Sequence, residues 1–267
     1  MLLRPLKSFT PLLSPRSPAT LLFSTNNPSD SHSEPSYHTL PRLYTPNLTP
    51  PTLNLTPPQT SHLKVLRLKP PTLIRCFDGK TGEHLINLTS LTTGTILKTL
   101  LPQPPPPPSV TLYTPPLKKK RLKTLIEKSV ELSVTSIKIV PQTDYSSHKI
   151  TDKQIDKLRL TIESTACQCE TFHVPKLSVT SKNFKEVCED VDVIAVERVC
   201  ENNVLEKFLE VEEEFMKIFI GPEGGWSHEE RELFKEEKCI TLGEKVMRAE
   251  TAGIYCLSVW NAVRNIK

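Results

Sequence analysis

Two stretches near the C-terminal end constrain this chain more than any other part: Ile218-Phe219-Ile220-Gly221-Pro222-Glu223-Gly224-Gly225-Trp226-Ser227 and Leu242-Gly243-Glu244-Lys245-Val246-Met247-Arg248-Ala249-Glu250-Thr251-Ala252. The chain has eight glycines in 267 residues, and five of them (Gly221, Gly224, Gly225, Gly243 and Gly253) lie in this final part. Glycine serves positions where the backbone takes positive φ or comes close to another group. A glycine-poor chain that gathers its glycines in one place is building a site there.

Each stretch has the same local grammar. Residues 216–220 read as a strand, the glycine loop follows, and residues 227–237 read as a helix opened by the capping-box pair Ser227 and Glu230. Residues 239–242 read as a second short strand, 243–249 as a loop and 250–266 as a final helix. Upstream, helical spacing marks 117–132 and 152–169, strands are expected at 134–140 and 191–196, and the charged run 197–214 reads as helical. Strands alternating with helices define a parallel α/β sheet, and ligands of such sheets bind beyond the carboxyl ends of the strands. A phosphate loop is disfavoured, because Glu223, Glu229 and Glu230 surround the first loop and neither a Walker lysine nor GxGxxG spacing is present. Two glycine loops on adjacent strands instead suit one planar, cationic or neutral ligand held by backbone contacts.

The charge is divided along the chain. Residues 1–149 carry 18 Lys and Arg against 7 Asp and Glu, whereas 150–267 carry 16 against 23. A basic half suits a polyanion, most economically nucleic acid; a targeting leader and a solvated Lys-rich helix account for part of the excess. Residues 1–38 contain Arg4, Lys7 and Arg16 and no acidic residue before Asp30. That composition predicts an organellar transit peptide, mitochondrial or plastid, or else a disordered leader in a cytoplasmic protein. Residues 39–100 read as a small basic β module, with Leu63, Val65, Leu66 and Leu68 as an apolar β-like segment and Asp78-Gly79 as a hairpin turn. Residues 101–116, with prolines at every position from 104 to 108, read as a linker into which a strand at 109–113 is inserted. No run of eighteen apolar residues exists, so no membrane span is expected. The seven cysteines are scattered, without zinc-ligand spacing, and read as reduced thiols; no metal is expected.

The pair IGPEGGWSxxE and LGxxVxRAETA, here residues 220–230 and 242–252, resembles the hallmark of the ribosomal RNA small subunit methyltransferase E family. Weaker matches extend the resemblance from about residue 41 to the C-terminus: Ser61-His62-Leu63-Lys64-Val65-Leu66-Arg67, Phe77-Asp78-Gly79, and Lys128-Ser129-Val130-Glu131-Leu132-Ser133-Val134. The resemblance implies a SPOUT-type α/β methyltransferase domain over 117–267, knotted as a trefoil, behind a PUA-like β-barrel that helps hold RNA. It implies S-adenosylmethionine as cofactor and N3 of a uridine in small-subunit ribosomal RNA, free or assembled, as target. It also implies a homodimer through the final helix, on which Ala252, Cys256, Val259 and Val263 form one apolar stripe and Ile254, Leu257 and Trp260 another. The cofactor would contact Ile220, Gly221, Pro222, Glu223, Gly224, Gly225, Leu242, Gly243, Val246 and Met247. Arg248 would stabilise charge on the base, unless it is a structural partner of Glu250, and Glu250 is a weaker proton-acceptor candidate. Lys64, Arg67, Lys118, Lys119, Lys120, Arg121 and Gln168 would face RNA.

The chain departs from the family pattern in places. The helix motif EAxxQxxR survives here as Gln168, with glutamate displaced to Glu163 and no arginine; Ser133 replaces a glycine and Lys245 an arginine. Two other readings stay open: a ribose 2′-O RNA methyltransferase of the same architecture, and a catalytically silent RNA-binding or ribosome-assembly protein.

Overall fold

The computed structural model describes residues 37–46, 48, 51–146, 148–197 and 202–266. Apart from Tyr37 and His38, the leader expected at 1–38 lies outside the described residues, as does Cys200.

Residues 42–102 carry a five-stranded mixed sheet in the order β1-β3-β4-β5-β2. Its strands are β1 (Arg42–Tyr44), β2 (Thr52–Asn54), β3 (Thr72–Phe77), β4 (Gly82–Leu88) and β5 (Thr93–Pro102). The β3–β4 hairpin turns where Asp78-Gly79 predicts. Asp78 Oδ1 accepts from the N–H groups of Lys80 and Thr81 at 2.8 and 2.7 Å, the side-chain mimicry that makes Asp a turn former. Among the described residues β1 and β2 are free edges, so the ladder forms an open sheet. The segment around Leu63, expected to be β-like, is instead helical: α1 (Pro57–Val65). Pro57 and Pro58 fit a first helical turn, Gln59 Oε1 accepts from the Thr56 N–H at 2.8 Å, and Leu63 packs against Leu43, Leu53 and Ile74 of the sheet.

The second sheet has six strands, all parallel, in the order β11-β9-β10-β6-β7-β8. They are β6 (Ser109–Thr114), β7 (Ser136–Ile139), β8 (Lys176–Val179), β9 (Val193–Val196), β10 (Phe215–Phe219) and β11 (Cys239–Thr241). The helices between and after them are α2 (Lys119–Glu131), α3 (Asp152–Gln168), α4 (Phe184–Asp190), α5 (Val204–Glu210), α6 (His228–Glu232) and α7 (Ala249–Ile266). The strand at 109–114 is therefore no insertion in a linker. It pairs with β10 and β7 in the interior of the sheet, and the sheet begins directly after the proline run. The strand β8 and the helix α4 were not anticipated, since a four-residue strand and a seven-residue helix carry little periodicity. The helix expected at 227–237 stops at Glu232, and a separate 3₁₀ turn spans Glu236–Lys238.

Strand alternation divides the core between the two faces of this sheet. Leu112, Val193 and Ile218 join Leu125 and Ile126 of α2, Ile162 of α3, Phe208 of α5 and Leu257 and Trp260 of α7. Their neighbours Tyr113, Ile194 and Phe219 face Val187 and Cys188 of α4 together with Trp226. Asp190, ending α4, receives Tyr113 Oη, Lys217 Nζ at 2.9 Å and Lys182 Nζ at 3.0 Å. Burial pushes its carboxyl up, but these hydrogen bonds outweigh burial and hold it well below the usual carboxylate range. Burial also pushes the Cys76, Cys188 and Cys256 thiols up to about 12, which leaves them protonated and unreactive at neutral pH.

The two sheets are joined by a buried ion cluster. Glu83 Oε1 accepts from Arg42 Nε at 2.5 Å and its Oε2 from Arg75 Nη1 at 3.3 Å. Arg42 also donates from Nη1 to the carbonyls of Ala166 and Thr171 at the end of α3, and its guanidinium lies 3.7 Å from the Phe77 ring centroid. Arg75 reaches Glu170 at 2.6 Å. Removing one partner from such a buried pair typically costs about 3–5 kcal/mol.

Three helix ends show where this chain goes without glycine. Arg67, Ser133 and Glu170 hold φ of 55°, 58° and 57° just past α1, α2 and α3. At Ser133 the Schellman pair is complete: its N–H donates to Val130 O at 3.1 Å, and the Val134 N–H donates to Ser129 O at 3.0 Å. That left-handed position usually holds glycine, which explains why the family pattern has one where this chain has Ser133. Ser133→Gly is expected to raise unfolding free energy by about 0.5–1 kcal/mol, the left-handed strain relieved less the added freedom of the unfolded chain. Urea denaturation checks this through a higher midpoint at unchanged slope.

Candidate functional site

Because all six strands point the same way, the loops leaving their carboxyl ends meet at one edge, and a cavity of about 430 Å³ opens there. Its walls come from Ala195, Val196 and Glu197 at the end of β9, the residues from Gly221 to Trp226 after β10, and those from Leu242 to Ala249 after β11, with Arg121 and Ala252 completing it. The volume falls in the range of small-molecule and cofactor sites. The two glycine loops do not leave adjacent strands as expected: β9 runs between β10 and β11. The third wall, ending in Glu197, follows from that order. The strand expected at 191–196 was the one signal that could have found it.

The first loop is fixed from beneath. Trp226 is buried, its Nε1–H donates to Ala195 O at 2.9 Å, and its indole lies where a Cβ on Gly221 would come to 3.0 Å. The Gly225 N–H closes a turn onto Pro222 O at 3.1 Å. Gly225 has φ 77°, and a Cβ there would meet Glu197 Oε1 at 2.7 Å. Ser227 caps α6 as its spacing predicts, with Ser227 Oγ accepting from the Glu230 N–H at 3.1 Å and Glu230 Oε2 from the Ser227 N–H at 2.8 Å. In the second loop Gly243 has φ 115°, and a Cβ there would meet nothing within 4 Å. A side chain at Gly243 would thus stand in open space that the bare backbone leaves free.

The polar groups are arranged differently from the sequence expectation. Of the three surrounding acids only Glu223 lines the cavity; Glu229 is exposed and Glu230 is buried in the α6 cap, where it also accepts from the Asp144 N–H at 2.9 Å. Glu223 Oε1 accepts from Arg121 Nη1 at 2.8 Å, and its Oε2 lies 3.5 Å from His148 Nε2. Arg121 is therefore a wall of this cavity and not, as expected, part of an outward lysine cluster: its side chain turns toward Glu223, while Lys118, Lys119 and Lys120 remain exposed. Glu197 pairs with Arg231. Arg248 lines the cavity, is exposed, and makes no ion pair among the described residues. The expected alternative, an Arg248–Glu250 pair, is replaced by Arg121 Nε at 3.7 Å from Glu250 Oε1. Glu250 does not line the cavity, and its Oε2 is buried without a hydrogen-bond partner.

Of the expected cofactor residues, Gly221, Pro222, Glu223, Gly224, Gly225, Leu242, Gly243, Val246 and Met247 all line the cavity. Ile220 does not: it is fully buried, with its Cδ1 toward Gly253 of α7. Lys64, on α1, Arg67, just after it, and Gln168, at the end of α3, are exposed and lie outside the cavity lining.

A twisted parallel sheet with a backbone-lined cavity at its carboxyl edge defines an α/β protein built to hold a cofactor-sized ligand beside an open mouth. The family model for the RNA methyltransferase domain matches residues 104–261, and the chain belongs to that family. A curated relative, Ribosomal RNA small subunit methyltransferase E of Rickettsia conorii, is 28% identical over 204 residues, 73% of this chain and 82% of the relative. The crystal structure of a Ribosomal RNA small subunit methyltransferase E from Neisseria gonorrhoeae, bound to S-adenosyl methionine, is 26% identical with a TM-score of 0.69, covering 85% of this chain and 98% of that one. A putative methyltransferase of Legionella pneumophila, in complex with the same cofactor, has the same fold at 23% identity and a TM-score of 0.71, covering 84% of this chain and 97% of its own. Among the described residues no helix is long and apolar enough to cross a membrane, and no group of three or more His, Cys, Asp or Glu is disposed to hold a metal.

Gly225→Ala is expected to cost about 1–2 kcal/mol in left-handed strain and to push Glu197 away from Arg231. Gly243 holds φ 115°, outside the left-handed well, so Gly243→Ala should lower the thermal unfolding midpoint through backbone strain alone.

Proposed function

We propose that this chain is an S-adenosylmethionine-dependent methyltransferase that methylates N3 of a uridine in small-subunit ribosomal RNA. The observation that carries the reading is the backbone cradle: nine of the ten residues expected at a cofactor from the family motifs line one cavity. The residues also fit that cofactor chemically. The bare backbone at Gly243 leaves room for an adenine-sized plane, Leu242, Val246 and Met247 offer apolar surface, and Glu197 and Glu223 suit the cationic sulfonium end.

When bound, the cofactor supplies an electrophilic methyl group. The chain's own residues must then place a uridine N3 against it and stabilise the base as its N3 proton passes to solvent water. Arg248, at the cavity and without an ion pair among the described residues, is suited to hold the negative charge that develops on O2 and O4. Arg121, anchored by Glu223 and facing Glu250, is a fixed second guanidinium in the wall. Glu250 is better placed to position Arg121 than to accept the base's proton. Uridine N3 lies on the pairing edge, so the target base must be unpaired or flipped out.

The knotted threading of the sheet and the PUA-like form of the five-stranded sheet belong to this reading, as does a homodimer through α7. Cys256, Leu257, Trp260 and Val263 are buried in the chain's own core, while Ile254 and Val259 are partly covered and Tyr255 and Ile266 are exposed, which leaves them for a partner. The basic leader would direct the protein to a mitochondrion or plastid.

Calorimetry with S-adenosylmethionine and single-turnover methylation of small-subunit RNA test the assignment together. Gly243→Trp is expected to abolish cofactor binding. Arg248→Ala is expected to leave it within about twofold while slowing transfer by about 10²–10³, the usual loss of one charge-stabilising donor. An Arg248→Ala enzyme of unchanged rate would refute the role given to Arg248.

A further inference from the structure

A second cavity lies on the other side of the first turn of α2, between α2, α3 and the segment ahead of α3, with a volume of about 450 Å³. Its floor is apolar, built from Leu117, Leu122 and Leu158, all buried. Its rim is cationic: Lys118, Lys119, Lys123, Lys149 and Lys157 line it, and no Asp or Glu does. Lys123 is paired with Glu127 at 3.0 Å, but the other four make no ion pair among the described residues. Lys118 and Lys119 also stand at the N-terminal end of α2, where the helix dipole disfavours positive charge and where the first turn has no acid. So many uncompensated cations around one groove repel one another. An anion in the groove would relieve that repulsion.

Anion alone does not explain the apolar floor. A ligand that carries phosphates along one edge and flat, weakly polar faces along the other matches both parts, and single-stranded nucleic acid is that ligand. The groove is also continuous with the candidate methylation site. Arg121 of α2 lines the first cavity while Lys118 and Lys119 line the second, and His148, a wall of the second, approaches Glu223 of the first at 3.5 Å. A strand crossing the first turn of α2 reaches both.

We propose that the α2–α3 groove holds the single-stranded RNA flanking the target base, its phosphates on the lysine rim and a neighbouring nucleobase on the leucine floor. This rests on the RNA methyltransferase reading above and adds where the substrate runs. None of the motifs that mark the family contains Lys149 or Lys157.

The test compares two charge-matched double variants of the full chain, binding a fluorescein-labelled single-stranded RNA of about twelve nucleotides over a salt series. Lys149→Glu/Lys157→Glu alters the groove; Lys153→Glu/Lys176→Glu alters exposed lysines outside it. The groove variant should weaken binding on the order of tenfold and flatten the log affinity against log salt slope by about 1.4, two single-strand phosphate contacts. The control should stay near the parent, and both should keep parental S-adenosylmethionine binding and melting temperature. Inorganic polyphosphate should compete on the order of tenfold more weakly than the RNA, since it offers no base to the floor. Equal losses in the two doubles, no loss in the groove double, or polyphosphate competing as well as RNA would each overturn the groove assignment while leaving the methyltransferase reading in place. An unsubstituted chain that binds no RNA would overturn the groove assignment, and one that also binds no S-adenosylmethionine would overturn both.

Discussion

The parallel direction of the six-stranded sheet is the constraint from which the site follows. Parallel pairing places every carboxyl end at one edge, and the order β11-β9-β10 brings three loops together there. The bond from Trp226 Nε1 to Ala195 O ties the loop after β10 to the end of β9, and the Arg231–Glu197 pair does so again on the other side of the glycine turn. The cavity is thus a property of strand order, stiffened by Trp226, Arg231 and Glu197 around its first glycine turn.

Much of this was legible in the sequence because it is local. Both strand–glycine loop–helix units, the Ser227 cap and the Asp78 turn depend on residues within a few positions of one another, and all are present, although the first unit's helix stops at Glu232 and not at 237. What was not legible depends on residues far apart. Nothing local tells that β9 separates β10 and β11, so Glu197 went unread. Nor does spacing tell that Arg121 turns inward to Glu223 while its neighbours Lys118 to Lys120 stay in solvent. The Leu63 segment misled because its apolar residues suit a strand, whereas the paired prolines and Gln59 open a helix. Glycine usage itself was the better guide. Arg67, Ser133 and Glu170 occupy left-handed helix ends without it, so the chain tolerates about 1 kcal/mol of strain at such places and keeps glycine at Gly225 and Gly243, where a Cβ would meet Glu197 or fill the cradle.

The division of charge along the chain also has a structural counterpart. Arg42 and Arg75 of the basic half are buried in the cluster with Glu83 and Glu170 that fixes the five-stranded sheet against α3, so part of the basic excess is architectural. Among the described residues Lys123 and Lys128 of α2 pair at the surface with Glu127 and Glu131, whereas Lys118, Lys119 and Lys149 make no ion pair. Their position beside the cavity connects the two halves of the proposed function: cofactor at the glycine loops, and RNA over the helix that supplies Arg121.

Mass-spectrometric mapping of modified uridines in organellar and cytosolic small-subunit ribosomal RNA, with and without the gene, tests the reaction at uridine N3 directly. One N3-methyluridine should disappear on deletion and return with the intact gene but not with an Arg248→Ala copy. N3-methyluridine unchanged in every compartment would contradict the assignment.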